Sequence, residues 1–205
     1  MPTLRLDWSG ALHVIMPIIV IVSFLFMALS DALKMRGRDK AGKGLFAAGF
    51  LLLAASMILS AVTGKRFHVS PPLRVLLITL AALGAWGEYS SLFGALPVKE
   101  TYIGTDPAQK LVDSGLYAMC RHPGAIFFPL MSVCLALAIG SVSLLNSSLL
   151  ASSLNLLYVV FQDQVVFPST IPGYNSYRHR VPFLFPTSQS IARALGETTD
   201  KQDDV

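Results

Sequence analysis

The chain has 205 residues, of which 53% are hydrophobic and only 14% charged, with a mean hydropathy of +0.59. Soluble domains are about a quarter charged, so this balance points to the bilayer, and the net charge of +4 reads as membrane topology rather than as nucleic-acid binding. Cys120 and Cys134 provide no disulfide framework, and His13, His68, His122 and His179 lack metal-ligand spacing, so no metal site is expected.

A bilayer-crossing helix needs about 20 mostly apolar residues. Residues 10–30 carry no Asp, Glu, Lys or Arg and end at Asp31; residues 44–64 are equally uncharged and end at Lys65. The first run lacks a small-residue cleavage site and is followed by further runs, so it reads as a span rather than a signal peptide. A third run follows Arg74 and contains one acid, Glu88. Residues 124–162 then run uncharged for 39 residues, enough for two helices, with the polar stretch 140–148 as the turn. The expected fold is all-α and polytopic, with five transmembrane helices, the last two a tight hairpin. The membrane domain spans residues 1–186, and 187–205 form a polar, partly disordered tail with a short amphipathic stretch at Ile191–Leu195.

The loops set the orientation. With the basic connection Lys34–Lys43 in the cytosol, alternation also places residues 99–123 and the chain after 163 there. Twelve of the sixteen Lys and Arg residues then lie inside, and Arg5, Lys65, Arg66 and Arg74 outside. The positive-inside rule favours this arrangement, with the N-terminus outside and the C-terminus cytosolic. The first loop reads as a topology determinant or as a site for anionic lipid headgroups. The expected membrane is a bacterial inner membrane or an endomembrane.

Most of the remaining polar residues fall on the cytosolic side. Pro123 is suited to the first turn of a helix, where free amides and the helix dipole attract a carboxylate or phosphate. Arg121 adds a fork of donors for the same groups, and His122 a donor or acceptor. The alternative is that Arg121 anchors the helix end at the headgroups while His122 caps it. Glu88 faces either a protein cavity or the interface. Asp163, flanked by Gln162 and Gln164, closes the fifth helix at the face of Arg121, which makes the two neighbours, as a salt bridge or as a site. Tyr174 and Tyr177, beside Arg178, His179 and Arg180, suit an interface anchor or a lid that stacks on an adenine.

The series Leu111, Val112, Gly115, Tyr117, Arg121, His122, Pro123, then a long apolar hairpin, then Tyr174, Tyr177, Val181, Pro182 and Pro186, resembles the isoprenylcysteine carboxyl methyltransferase-like family of integral membrane methyltransferases, which includes related phospholipid methyltransferases. The resemblance covers residues 99–186. It implies S-adenosylmethionine as cofactor and methyl transfer to a lipid or other lipophilic acceptor that arrives sideways from the membrane, with the active site cytosolic. By the same resemblance, Arg121 and Asp163 are the catalytic pair, and Leu111, Val112, Gly115, Tyr117, His122, Pro123, Gln162, Tyr174 and Tyr177 hold the cofactor. His122 and the first-turn amides would meet its amino-acid end. Glu88 and Arg180 are the candidates for holding the acceptor.

Two positions depart from the family pattern. Ala125 stands where a Tyr is usual, and Gln162–Asp163 replaces an acidic pair, so one carboxylate is absent. Two other readings therefore stand beside methyl transfer. One is a non-catalytic lipid-binding protein or membrane-complex subunit with a decayed cofactor site. The other is an NADPH-dependent, sterol-reductase-like enzyme in which Arg178 and Arg180 meet the extra phosphates.

Overall fold

A computed structural model describes residues 8–94 and 111–195, with side chains from 15–93 and 111–195. The N-terminal stretch with Arg5, the first part of the polar loop with Lys99, and the acidic end of the tail lie outside the described residues. Among the described residues every regular element is a helix, and one isolated antiparallel bridge joins Arg66 and Ser141. In order the helices are α1 (Trp8–Met35), α2 (Asp39–Val62), α3 (Pro71–Tyr89), α4 (Leu116–Met119), α5 (Gly124–Ile139), α6 (Val142–Phe161), α7 (Phe167–Thr170), α8 (Tyr174–Arg180) and α9 (Ser188–Ala194). α3 and α6 each continue into a π-turn, Ser90–Gly94 and Gln162–Val166.

Among the described residues, four helices are long and apolar enough to cross a membrane: Ile15–Met35, Asp39–Val62, Pro71–Phe93 and Val142–Thr170. The fifth apolar helix, α5, has 16 residues, about 24 Å at 1.5 Å per residue. Its shortness has a local cause. Gly140 caps it in the left-handed conformation (φ +71°) and α6 starts at Val142. The turn is thus Gly140–Ser141 alone, not the whole stretch 140–148, because the Ser141 hydroxyl accepts from the Leu144 amide and draws the following serines into the helix. A Cβ on Gly140 would collide with the Phe67 carbonyl.

Lipid is as apolar as leucine, so helix association in a bilayer rests on small residues, close packing and buried hydrogen bonds. This chain uses all three. Gly42 and Gly49 let α2 lie against the backbone of α1, where an added Cβ would come within 2.9 Å of the Ser30 oxygen and 2.7 Å of the Ser23 oxygen. Ser30 Oγ donates to the Gly42 carbonyl at 2.7 Å. The Ser60 and Ser147 hydroxyls bond at 2.9 Å between α2 and α6, and Ser148 Oγ donates to the Ser132 carbonyl of α5 at 3.1 Å. Val20, Phe24, Met27, Leu53 and Ala151 form the core shared by α1, α2 and α6. Gly84 and Gly87 on α3 receive Met131 and Phe127 of α5.

The connections sort to two ends. At one, Phe67 donates to the Gly140 carbonyl at 2.8 Å and Val142 to that of Lys65 at 3.1 Å. At the other, Asp31 meets Tyr158 and Gln162, and the segment 111–123 meets α8 and the residues after it. Nearly all the candidate residues lie at this second end.

Candidate functional site

The π-turn after α6 shapes the site. Consecutive side chains on a helix do not share a face, and here the two point to different partners. Asp163 enters a pocket of donors from the 121–122 and 174–181 segments, while Gln162 faces α1. Such π-turns recur at functional positions.

Asp163 is 3% exposed and holds the centre. Arg121 grips it with two prongs, Nε to Oδ1 at 2.7 Å and Nη2 to Oδ2 at 3.1 Å. Tyr174 donates its hydroxyl to Oδ1 at 2.6 Å, and His122 Nε2 lies 3.2 Å from the same oxygen. Arg178 Nε is 3.4 Å from Oδ2, and its side chain, 39% exposed, is the one member open to solvent. Arg121 Nη1 also donates to the carbonyls of Arg178 at 2.8 Å and Val181 at 2.6 Å. The His122 ring stacks on Phe167 (centroids 5.8 Å apart) and meets the edge of Phe183, which also lies 5.6 Å from the Arg121 guanidinium.

Tyr174 and Tyr177 are buried with Val181 against Leu111, Phe167 and Ile171. Both phenols are pushed above the ordinary tyrosine range, chiefly by burial; for Tyr174 the hydrogen bond to the Asp163 carboxylate adds to the effect. Tyr177 donates to the Tyr117 carbonyl at 2.7 Å, and Tyr117 to the Ser91 carbonyl at 3.2 Å. This chain of bonds ties α8 through α4 to the end of α3. Gly115 opens α4 with φ +57° and ψ −129°, a conformation that only glycine adopts readily.

The structure thus unites Arg121, His122, Asp163, Tyr174 and Tyr177, with Leu111, Tyr117 and Pro123 around them. The remaining candidates lie elsewhere. Gln162 does not share the pocket: its Nε2 donates to Asp31 Oδ2 at 2.9 Å, beside the Tyr158 hydroxyl at 2.6 Å, while Lys34 Nζ lies 3.1 Å from Oδ1. Three amides of the first turn of α5 are used within the chain: Ala125 donates to the His122 carbonyl, and Ile126 and Phe127 to that of Pro123. The Arg121 and His122 amides are likewise used, by the Pro182 and Phe183 carbonyls. Arg180 is exposed, and its Nε reaches back to the Ser176 carbonyl at 3.4 Å. Glu88 sits apart, against Gly124. Val112 is half-buried and joins none of these bonds.

Sequence reasoning missed Asp31 and Tyr158, which build a second buried polar cluster between α1 and α6. Asp31 ends an uncharged run, and that was its only signal. Among the described residues no cluster could hold a metal. Comparison with protein-family models, with curated proteins and with solved structures finds no match to this chain.

Proposed function

We propose that this is a multi-pass membrane protein that transfers a methyl group from S-adenosylmethionine to a lipid or other lipophilic acceptor at the cytosolic face. The observation that carries this reading is the convergence of Arg121, His122 and Tyr174 on the buried Asp163 carboxylate, which brings three separate segments together at one end of the bundle. In this proposal α5 is the fifth crossing, α5 and α6 form the hairpin, and the polar end faces the cytosol, as the distribution of Lys and Arg favours.

The chemistry of the donor set suits the cofactor. An amino-acid group needs a cation for its carboxylate and an anion for its ammonium, and Arg121, Arg178 and Asp163 supply these, here satisfying one another. Arg178 is the loosest and most exposed contact, hence the arm that would be given up to a ligand. Bound S-adenosylmethionine supplies a sulfonium methyl carbon, whose displacement needs alignment and dryness rather than a metal. Arg121 and Tyr174 hold Asp163 in place, Phe167 and Phe183 keep water from His122, and Tyr177 anchors the 111–119 segment.

One observation favours a second reading, a protein without catalysis: Arg121 already makes four donations within the protein, as a structural clamp would. Calorimetric titration of the detergent-purified chain with S-adenosylmethionine separates the two. Methyl transfer requires saturable binding that Arg178→Gln weakens about tenfold and His122→Ala abolishes, with thermal unfolding confirming that both variants are folded. Absence of binding to a folded wild type supports the clamp and makes NADPH the next titrant.

A further inference from the structure

Of the carboxylates at the polar end among the described residues, three, Asp31, Glu88 and Asp163, are withdrawn from the surface, and two of these are fully partnered. Asp31 has Lys34, Tyr158 and Gln162; Asp163 has Arg121, His122, Tyr174 and Arg178. Glu88 differs. Its Oε2 is buried and has no hydrogen-bond partner among the described residues. A buried carboxylate oxygen without a donor carries the full cost of its lost hydration, and ionisable groups at membrane depth ordinarily face a partner or a pathway.

The neighbourhood is shaped around that oxygen. Gly84, Gly87, Glu88 and Ser91 share one face of α3 by helical spacing. Along it, Gly84 meets Met131, Gly87 meets Phe127 and Glu88 meets Gly124, so the two helices close tightly until the carboxylate. A Cβ on Gly124 would stand 3.2 Å from Oε2 and 3.5 Å from Oε1 and from Ser91 Oγ, so glycine keeps the space beside the carboxylate clear. The helix loosens into its π-turn two residues later, with Ser91 Oγ donating to the Glu88 carbonyl at 2.8 Å. Around the same end Trp86, Tyr89 and Phe93 are exposed, the last two stacked at 5.0 Å. Such aromatics suit the boundary between acyl chains and headgroups.

We propose that Glu88, with the bare Cα of Gly124, is a receptor for a hydrogen-bond-donating head group, an ammonium or a hydroxyl, on a membrane-borne amphiphile. A carboxylate offers only acceptors, so an anionic head group is rejected there. The site deepens the methyl-transfer reading, and rests on it only in identifying the occupant with the methyl acceptor.

The test titrates the full chain, in neutral detergent, with dodecylamine, dodecanol and dodecanoate, reading the melting temperature. The expected result is a saturable rise with the amine or the alcohol and none with dodecanoate; the amine arm separates an ammonium from a hydroxyl. Glu88→Gln, which preserves shape, should raise the amine concentration needed about tenfold, and Gly124→Ala should weaken the response by crowding Oε2. Equal shifts from all three amphiphiles, or wild-type responses from both variants, overturn the site. S-adenosylmethionine binding is measured on the same samples. If wild type discriminates the amphiphiles but binds no cofactor, the receptor stands and methyl transfer falls; if it binds cofactor without discriminating, the receptor falls alone.

Discussion

Arg121 and Asp163, 42 residues apart, form a two-pronged ion pair in which both side chains are less than a tenth exposed. The pair joins the segment before α5 to the turn after α6. Because Arg121 also binds the Arg178 and Val181 carbonyls, it fixes the residues after α8 as well. Removing one member of a buried pair leaves the other charge unpaired, at about 3–5 kcal/mol. Arg121→Ala and Asp163→Ala should each destabilise on that scale. The double variant should cost well under the sum, as read from denaturant unfolding in a fixed detergent. Additive losses would mean that the two residues do not act as a pair.

Gln162 bonds to Asp31 Oδ2 at 2.9 Å. Gln162→Glu, which would recreate an acidic pair in the sequence, should therefore destabilise, because two carboxylates would meet where one donor and one acceptor now do. Asp31→Asn in the same chain should restore most of the loss. A neutral Gln162→Glu on its own, judged by melting temperature at pH 7.5, would show that the side chain does not face Asp31.

That pair also shows where the sequence was legible. The uncharged runs that end at Asp31 and Lys65 marked two spans because hydropathy is a local property, and the neighbourhood of Arg121 and Asp163 followed from helices joined by a short turn. Asp31 could not be found in this way. Its partners Tyr158 and Gln162 lie more than 120 residues on, on another helix. The closure of His122 by Phe167 and Phe183 was equally hidden, since it depends on how the chain after α8 folds back. The turn at 140–141 was misjudged because serines read as loop residues yet sit well in a buried helix seam, where they bond to neighbouring helices.

Cys120 is 3% exposed, and burial, partly offset by a hydrogen bond from the His122 backbone, pushes its thiol up to about 11. Thiolate is the reactive form. At pH 8, ionisation alone should slow its alkylation roughly two-hundredfold relative to an ordinary thiol of pKa about 8.5, and burial should slow it further. In a Cys134→Ser background the single remaining thiol should resist N-ethylmaleimide in mild detergent and react promptly once unfolded in dodecyl sulfate. Prompt reaction in the folded state would show that the segment before α5 opens.

Tyr174 should make stability fall at alkaline pH. Burial, followed by its hydrogen bond and charge interaction with Asp163, raises its phenol above the ordinary range. An acid whose pKa is higher folded than unfolded contributes stability that is fully present below the unfolded value, about 10 for tyrosine. That contribution is lost as pH rises from there towards the folded value. Wild type should thus lose stability above about pH 10, and Tyr174→Phe, which cannot ionise, should lose less over the same interval. At neutral pH the variant should already be weaker by about 1.5–3 kcal/mol, the scale of a hydrogen bond to a charged group, since the hydroxyl donates to Asp163 at 2.6 Å. Tyr177→Phe, which gives up a bond to the neutral Tyr117 carbonyl, should cost about 1 kcal/mol. Unfolding series at pH 7, 9 and 11 would read both effects, and equal alkaline slopes for wild type and Tyr174→Phe would remove Tyr174 as their source.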